Sequence, residues 1–233
     1  KYSDATYLGL FRLENRGGEV FTDEGLALDL RIPLATLERM IVQDIDQDGR
    51  VDLVWNGWPW TIFWNDGPAG FSERRGPERV VAAGDFDRDG LLDLVLLNNY
   101  GDLGVRQGLG GRSFGPYLER YSPGAGEFIS QVSLGDLTGD GALDIAFVDD
   151  SLKVLAGIPG TLDFRSESLH PPSWGHVYDD HFTSTFLQDL DLDGRPELVI
   201  DRSGFHAWPD PGVHNVVRWN GESWDWSRQM GVP

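Results

Sequence analysis

The sequence predicts an all-β protein assembled from repeats of one four-stranded sheet. Three observations support this prediction. An acidic nine-residue segment recurs four times, short apolar runs follow each copy at similar distances, and no stretch has the period of a long helix. The 30 glycines and 13 prolines also fit a fold with many tight turns.

The recurring segment has the pattern Asp-x-Asp-x-Asp-Gly-x-x-Asp, and its copies start 41, 51 and 53 residues apart. Two positions depart from the pattern: Thr138 replaces the second aspartate of the third copy, and Glu197 replaces the last aspartate of the fourth. We call the copies loops 1 to 4; they span residues 44–52, 85–93, 136–144 and 189–197.

A second landmark follows the loops. In the first three repeats a phenylalanine comes 27, 29 and 28 residues after the loop starts, just behind a Gly-rich turn: Phe71, Phe114 and Phe164. In the fourth repeat Val213 or Val216 lies near the expected place. Phe21 follows the same kind of turn, but its loop would precede residue 1. Residues 1–30 are therefore predicted to be the second half of a repeat.

Each repeat contains four predicted strands. One precedes the loop, one follows its ninth position, a third comes next, and the fourth starts at the landmark. The second strands are apolar at nearly every position, which is typical of strands buried on both faces. The third strands are predicted at residues 61–64, 103–106, 152–155 and 205–208. Four short strands every 40 to 55 residues make one propeller blade, so we predict a β-propeller of four-stranded blades.

The loop pattern predicts calcium binding, because calcium takes six to eight oxygen ligands. Acids at positions 1, 3 and 5 would lie inside a tight turn that the glycine at position 6 permits. The backbone oxygen of position 7 and the acid at position 9 would complete each of about four Ca²⁺ sites. Fifteen of the 38 acidic residues occupy these positions, a regularity that plain Asp-Gly turns do not require. The predicted ligands are Asp44, Asp46, Asp48, Arg50, Asp52, Asp85, Asp87, Asp89, Leu91, Asp93, Asp136, Thr138, Asp140, Ala142, Asp144, Asp189, Asp191, Asp193, Arg195 and Glu197.

An EF-hand shares the opening of this pattern but requires a glutamate at position 12 and flanking helices. Position 12 is apolar in all four loops, where it is Trp55, Leu96, Phe147 and Ile200. The pattern therefore excludes EF-hands and favours a loop between strands.

The loop followed by Leu-Val resembles the FG-GAP/VCBS repeat of integrin α-subunit propellers and of many secreted bacterial propellers. The resemblance covers residues 5–217. It implies that each loop joins the first and second strands of a blade. It also implies that the third site, with Thr138 in place of an acid, is weaker than the others.

Several functional classes are disfavoured. A net charge of −19 opposes binding to nucleic acid or an anionic membrane. The chain has no cysteine, no apolar run long enough to span a bilayer, and no recognised nucleophile, zinc-protease or phosphate-loop motif. Its densest other polar cluster, residues 170–181 with three histidines, is interpreted as a polar connection between blades. We therefore expect a protein that is not an enzyme.

The leading functional expectation is a binding or adhesion module in an extracellular, cell-surface or periplasmic location, with a protein or glycan as its partner. Trp58 and Trp60, in a predicted turn, are the candidate residues for stacking on a sugar. The alternative is an accessory propeller of a larger secreted enzyme or toxin. An autonomous enzyme such as a polysaccharide lyase lacks a supporting motif.

For domain organisation, we predict a single domain over residues 1–233, with about five blades if the ring closes within the chain. Residues 213–233 read as a hairpin around Asn220 and Gly221 that would supply the strands missing from the half-repeat at residues 1–30. The alternative is a segment of a larger propeller whose ends meet another segment.

Overall fold

The computed structural model describes residues 7–15, 21–33, 40–55, 61–124, 128–149, 151–169, 184–190, 194–201 and 213–230. The chain divides into two compact units, residues 1–80 and 81–233. The described elements are 18 strands and one short 3-10 turn. In this part of the chain there is no helix with the length and apolar character needed to cross a membrane.

The first unit contains two sheets. One is an antiparallel pair of strands, and the other has four strands in chain order. Trp55 and Phe63 form the core of the four-stranded sheet, with Leu53 packed against them. The strands are β1 (Tyr7–Asn15), β2 (Phe21–Pro33), β3 (Met40–Gln43), β4 (Asp52–Trp55), β5 (Thr61–Asn65) and β6 (Phe71–Arg75).

The second unit contains three four-stranded sheets, again with neighbouring strands in chain order. The unit boundary falls within β7, which is described here with its sheet. The strands are β7 (Arg79–Gly84), β8 (Asp93–Leu97), β9 (Leu103–Arg106), β10 (Leu118–Tyr121), β11 (Ser130–Gly135), β12 (Asp144–Val148), β13 (Leu152–Gly157), β14 (Phe164–Leu169), β15 (Ser184–Gln188), β16 (Glu197–Asp201), β17 (Val213–Trp219) and β18 (Trp224–Met230).

Strand β12 shows why its sequence is apolar at every position. Its side chains alternate between the two faces of the sheet. Ile145 and Phe147 join a core with the preceding sheet, whereas Ala146 and Val148 join a core with the following one. The prediction that the second strands are buried on both faces is confirmed at β12.

The all-β fold of four-stranded sheets is confirmed, and each loop joins the first and second strands of its sheet, as the resemblance implies. The predicted third strands are confirmed in the first three repeats as β5, β9 and β13. Landmarks Phe71 and Phe164 begin the fourth strands, and Phe21 begins β2. In the second repeat Phe114 instead forms an isolated bridge with Gly108, and the fourth strand begins later, at β10.

The fourth repeat needs a larger correction. Its third strand is β17, which pairs with β16, whereas the predicted residues 205–208 lie outside the described part. Val213 therefore begins the third strand rather than the fourth. The hairpin around Asn220 and Gly221 is present, but its strands complete the fourth sheet, while β1 and β2 form a sheet of their own. That the chain is one closed domain stays a prediction.

Candidate metal centre

Every loop is folded around its first aspartate. One carboxylate oxygen of this residue accepts a hydrogen bond from the backbone N–H of the glycine at position 6. The glycines need this conformation, since their φ angles of 86° to 91° favour residues without a β-carbon. The four pairs are Asp44 and Gly49 at 2.8 Å, Asp85 and Gly90 at 3.0 Å, Asp136 and Gly141 at 2.8 Å, and Asp189 and Gly194 at 3.0 Å.

The acid at position 9 is buried in every loop, at 0% exposure in the first three and 4% for Glu197. One of its oxygens accepts the backbone N–H of position 2, as Asp93 does from Phe86 over 2.9 Å. In the first three loops the other oxygen accepts a backbone N–H from the end of the third strand. Asp93 receives this bond from Gly108 over 2.8 Å. The acid therefore binds the loop to its sheet.

Burial changes the protonation equilibria of these acids. It raises the pKa of Asp93 and of Asp144 to about 6, and it raises the pKa of Asp52 as well. Backbone hydrogen bonds oppose the shift in all three, and the charges of Asp87 and Asp89 add a smaller increase at Asp93. The charge of a nearby cation would favour the carboxylate form of these residues.

The acids at positions 1, 3 and 5 converge in two loops. One carboxylate oxygen from each of Asp85, Asp87 and Asp89 lies within 4.8 Å of the others, and the corresponding residues of loop 1 do the same. Oδ1 of Asp85 is buried and has no hydrogen-bond partner among the described residues, and the same is true of Oδ1 of Asp189. A buried carboxylate oxygen without a donor is costly unless a cation meets it. The loops therefore fit a hard cation such as Ca²⁺.

A family model described as an FG-GAP-like repeat matches the chain at residues 44–96 and again at residues 85–147. Each match begins at the first aspartate of a loop, runs through the following loop and ends in the second strand after it. Residues 44–147 therefore carry FG-GAP-like repeats. A comparison with curated proteins finds no significant match.

Loop 1 has a positively charged side chain of its own next to its acids. The guanidinium of Arg50 forms an ion pair with the position-5 carboxylate of Asp48 and donates from Nε to the backbone oxygen of Asn65 over 2.7 Å. Arg50 was predicted to contribute only its backbone oxygen. Its side chain neutralises part of the charge of the acids in this loop.

Among the described residues, the acids of loop 2 form no ion pair comparable to that of Arg50 and Asp48, and their hydrogen bonds come from amides. Gln107, directly after β9, donates from Nε2 to Oδ2 of Asp87 over 2.7 Å. Leu91 donates its backbone N–H to Asp89 over 2.8 Å. Sequence reasoning missed Gln107, because its contact joins residues 20 positions apart that share no motif.

In loop 3 both oxygens of Asp136 are engaged, since Oδ1 accepts the backbone N–H of Gly139 over 2.7 Å. The hydroxyl oxygen of Thr138 is buried and has no hydrogen-bond partner among the described residues. Loop 3 thus has fewer open carboxylate oxygens than loop 2, and it retains one inward oxygen at position 3.

Loop 4 is described only in part, because Asp191 and Asp193 lie outside the described residues. Glu197 takes the role of the ninth-position aspartate: Leu190 donates its N–H to Oε2 over 2.6 Å. Its longer side chain meets Arg218 of β17 instead of a backbone amide, with Nε 3.0 Å from Oε1. The candidate sugar-binding residues Trp58 and Trp60, and the cluster at residues 170–181, also lie outside the described part.

Proposed function

We propose that this chain is a non-enzymatic binding module whose loops hold Ca²⁺ and whose exposed turns recognise a protein or glycan outside the cytoplasm. The observation that carries the metal part is the buried Oδ1 of Asp85, which has no hydrogen-bond partner among the described residues beside two further carboxylates. Bound calcium would neutralise the negative charge of these carboxylates and so order the loop.

The connection between the second and third strands lies at the end of a sheet opposite to the calcium loop, because successive strands run in opposite directions. In the second repeat this connection carries Tyr100, whose exposure is 88%. Its turn is rigid: Asn98 accepts the N–H of Tyr100 over 2.8 Å and donates to Asp102 over 2.8 Å. The hydrogen bond from Ser122, followed by that from Asn98, lowers the pKa of Asp102.

An exposed aromatic ring on a rigid turn suits recognition, since little conformational entropy is lost when it binds. In the first repeat the same connection carries Trp58 and Trp60. This agreement between two repeats favours, in each sheet taken by itself, the end opposite to the calcium loop as the ligand end.

The proposal is tested in two steps. Calorimetric titration of chelated protein with Ca²⁺ should show binding, and arrays of glycans and surface proteins should then show retention without turnover. Tyr100→Ala should lower the affinity for the ligand that the arrays identify. Leu109→Ala is the matched control, because Leu109 is also exposed, at 58%, but lies between the third and fourth strands at the calcium-loop end. Equal loss in both variants would contradict the assigned ligand side.

A further inference from the structure

Two arginines from neighbouring repeats lie against loop 3. Nη2 of Arg88, a residue of loop 2, is 3.4 Å from the backbone oxygen of Asp140. A β-carbon added at Gly141 would come within 2.6 Å of the same nitrogen. A β-carbon at Gly139 would meet the guanidinium of Arg195, from loop 4, also at 2.6 Å. Loop 3 is therefore flanked by two positive charges.

At the sixth position, the described part of the other loops has no such contact with an arginine of a neighbouring repeat. Apart from each glycine and its two chain neighbours, no heavy atom of the described residues lies within 4 Å of a β-carbon added at Gly49, Gly90 or Gly194. Among the described residues, a guanidinium from a neighbouring repeat therefore lies against the sixth-position glycine at Gly141 and not at these three.

The backbone at Arg88 has the conformation of the loop turn. Position 4 of the loop has a positive φ in three repeats: 58° at Gln47, 63° at Arg88 and 73° at Gly139. Such angles favour glycine, which loop 3 has. Arg88 and Gln47 both depart from this preference, so the positive φ is a property of the turn, and the position of the Arg88 side chain rests on its contacts with Asp140 and Gly141.

Loop 3 also has fewer open acidic ligands than loop 2. Thr138 offers a hydroxyl where loop 2 has a carboxylate, and both oxygens of Asp136 already accept backbone hydrogen bonds. Two flanking cations and one missing carboxylate act in the same direction, because both make the loop less attractive to a divalent cation.

We propose that Arg88 and Arg195 set the calcium affinity of loop 3, holding it below that of loop 2 by acting as fixed counter-ions on both sides of the loop. The proposal rests on the calcium binding proposed above. At physiological ionic strength the repulsion between a guanidinium and Ca²⁺ extends over about 8 Å. Each exposed arginine should then lower the affinity about twofold to fivefold. In the absence of metal the same charges offset the repulsion among the acids.

The experiment follows each loop separately through the backbone amide of its sixth-position glycine. Full-length ¹⁵N-labelled protein is titrated with CaCl₂, and the midpoints of the Gly90, Gly141 and Gly194 signals are compared. The variants are Arg88→Gln and Arg195→Gln. Arg75→Gln, on β6 of another sheet, makes the same change in net charge and serves as the control.

In the unmodified protein Gly141 should respond at higher Ca²⁺ than Gly90. Arg88→Gln should shift the Gly141 midpoint to lower Ca²⁺, and this shift should be larger than the shift of the Gly90 midpoint. Arg195→Gln should also shift the Gly141 midpoint to lower Ca²⁺, by more than it shifts the Gly194 midpoint. Arg75→Gln should leave the order unchanged.

Two results would overturn the proposal in distinguishable ways. If the glycines respond to Ca²⁺ but the Gly141 midpoint is unchanged in both variants, the arginines do not set the affinity while calcium binding stands. If none of the glycines responds, calcium binding itself is rejected, and the role of the arginines with it.

The backbone effect needs its own control, because Arg88 has a positive φ. Arg88→Gly removes the charge and favours the local conformation, whereas Gln47→Gly relieves the same conformation in loop 1 without removing a charge. A shift of the Gly141 midpoint in Arg88→Gly, with no comparable shift of Gly49 in Gln47→Gly, supports the electrostatic effect. Equal shifts would assign the effect to the backbone and overturn the proposal.

Discussion

The backbone N–H of Gly157 donates to Oδ1 of Asp144 over 2.8 Å, and this bond joins the last residue of loop 3 to the end of the third strand of its sheet. The other oxygen of Asp144 accepts the N–H groups of Leu137 and Thr138 over 2.8 and 2.9 Å. The ninth-position acid therefore stabilises the junction of loop and sheet even without metal, in addition to its predicted role as a ligand.

This relationship predicts the effect of Asp144→Asn on the metal-free protein. An asparagine can keep one accepting oxygen, but its amide must then face a backbone N–H, which leaves buried donors unsatisfied. We expect a loss of about 1 to 3 kcal/mol in the free energy of unfolding, measured by urea denaturation in the presence of chelator. Asp140→Asn, at an exposed position of the same loop, should cost far less. Similar losses in the two variants would contradict the structural role.

Removing calcium should lower thermal stability. A cation that binds only the folded chain stabilises it by mass action, so 1 mM Ca²⁺ at sites with dissociation constants of about 0.1 mM contributes about 1.4 kcal/mol per site. Chelation should reduce Tm by several degrees, and added Ca²⁺ should restore it. Equimolar Mg²⁺ is the control, since it requires a tighter octahedral site. A Tm that ignores chelator would argue against calcium stabilisation.

Asp87→Ala should remove one calcium site and leave the others. Asp87 is the third-position acid of loop 2 and accepts the side-chain amide of Gln107 over 2.7 Å. In repeat proteins stability depends mostly on neighbouring repeats, so loop 4 should keep its affinity within about twofold. Calorimetric stoichiometry is the measurement, and Gln107→Ala controls for loss of the hydrogen bond alone. Loss of all sites together would show that the blades are not independent.

Thr138→Asp should strengthen the third site. The hydroxyl oxygen of Thr138 is buried and has no hydrogen-bond partner among the described residues, so a carboxylate at this position would face the predicted metal. We expect an increase in affinity on the order of tenfold, followed by the amide signal of Gly141. Thr138→Asn has similar size without the charge and should change the affinity much less. Identical titrations of the two variants would exclude an electrostatic role for position 3.

The sequence predicted the parts of the structure that depend on local patterns. The position-6 glycines have the conformation that their turn requires, and the runs after each loop form the second strands. Both could be predicted because a tight turn and a short, continuous apolar run can be recognised without tertiary contacts. The regular spacing also located the third strands of three repeats.

The errors arose where spacing or distant contacts decide the structure. In the fourth repeat the strand paired with β16 begins at Val213. The landmark expected 27 to 29 residues after the start of the loop therefore falls on the third strand of this sheet and not on the fourth. The approach of Arg88 to Asp140 joins residues 52 positions apart, and no local pattern in the sequence contains it. The structural role of the ninth-position acids likewise depends on a contact between distant residues. Each of these acids begins the second strand of its sheet, and in the first three repeats its hydrogen-bond donor lies at or just after the end of the third strand.

The last prediction tests whether the tail hairpin completes the fourth sheet. Val217 of β17 is fully buried and shares a core with Leu198 of β16 and with residues of the third sheet, including Val154. Val217→Ala should therefore destabilise the protein by about 2 kcal/mol, because it removes two buried methyl groups and leaves a cavity. Val42→Ala is the matched control, since Val42 is also in a strand but is 63% exposed, and it should change the free energy of unfolding by less than about 0.5 kcal/mol. If urea denaturation gave equal and small losses for both, β17 would not be packed in this core in solution, and the predicted pairing of the tail with the N-terminal strands would regain support.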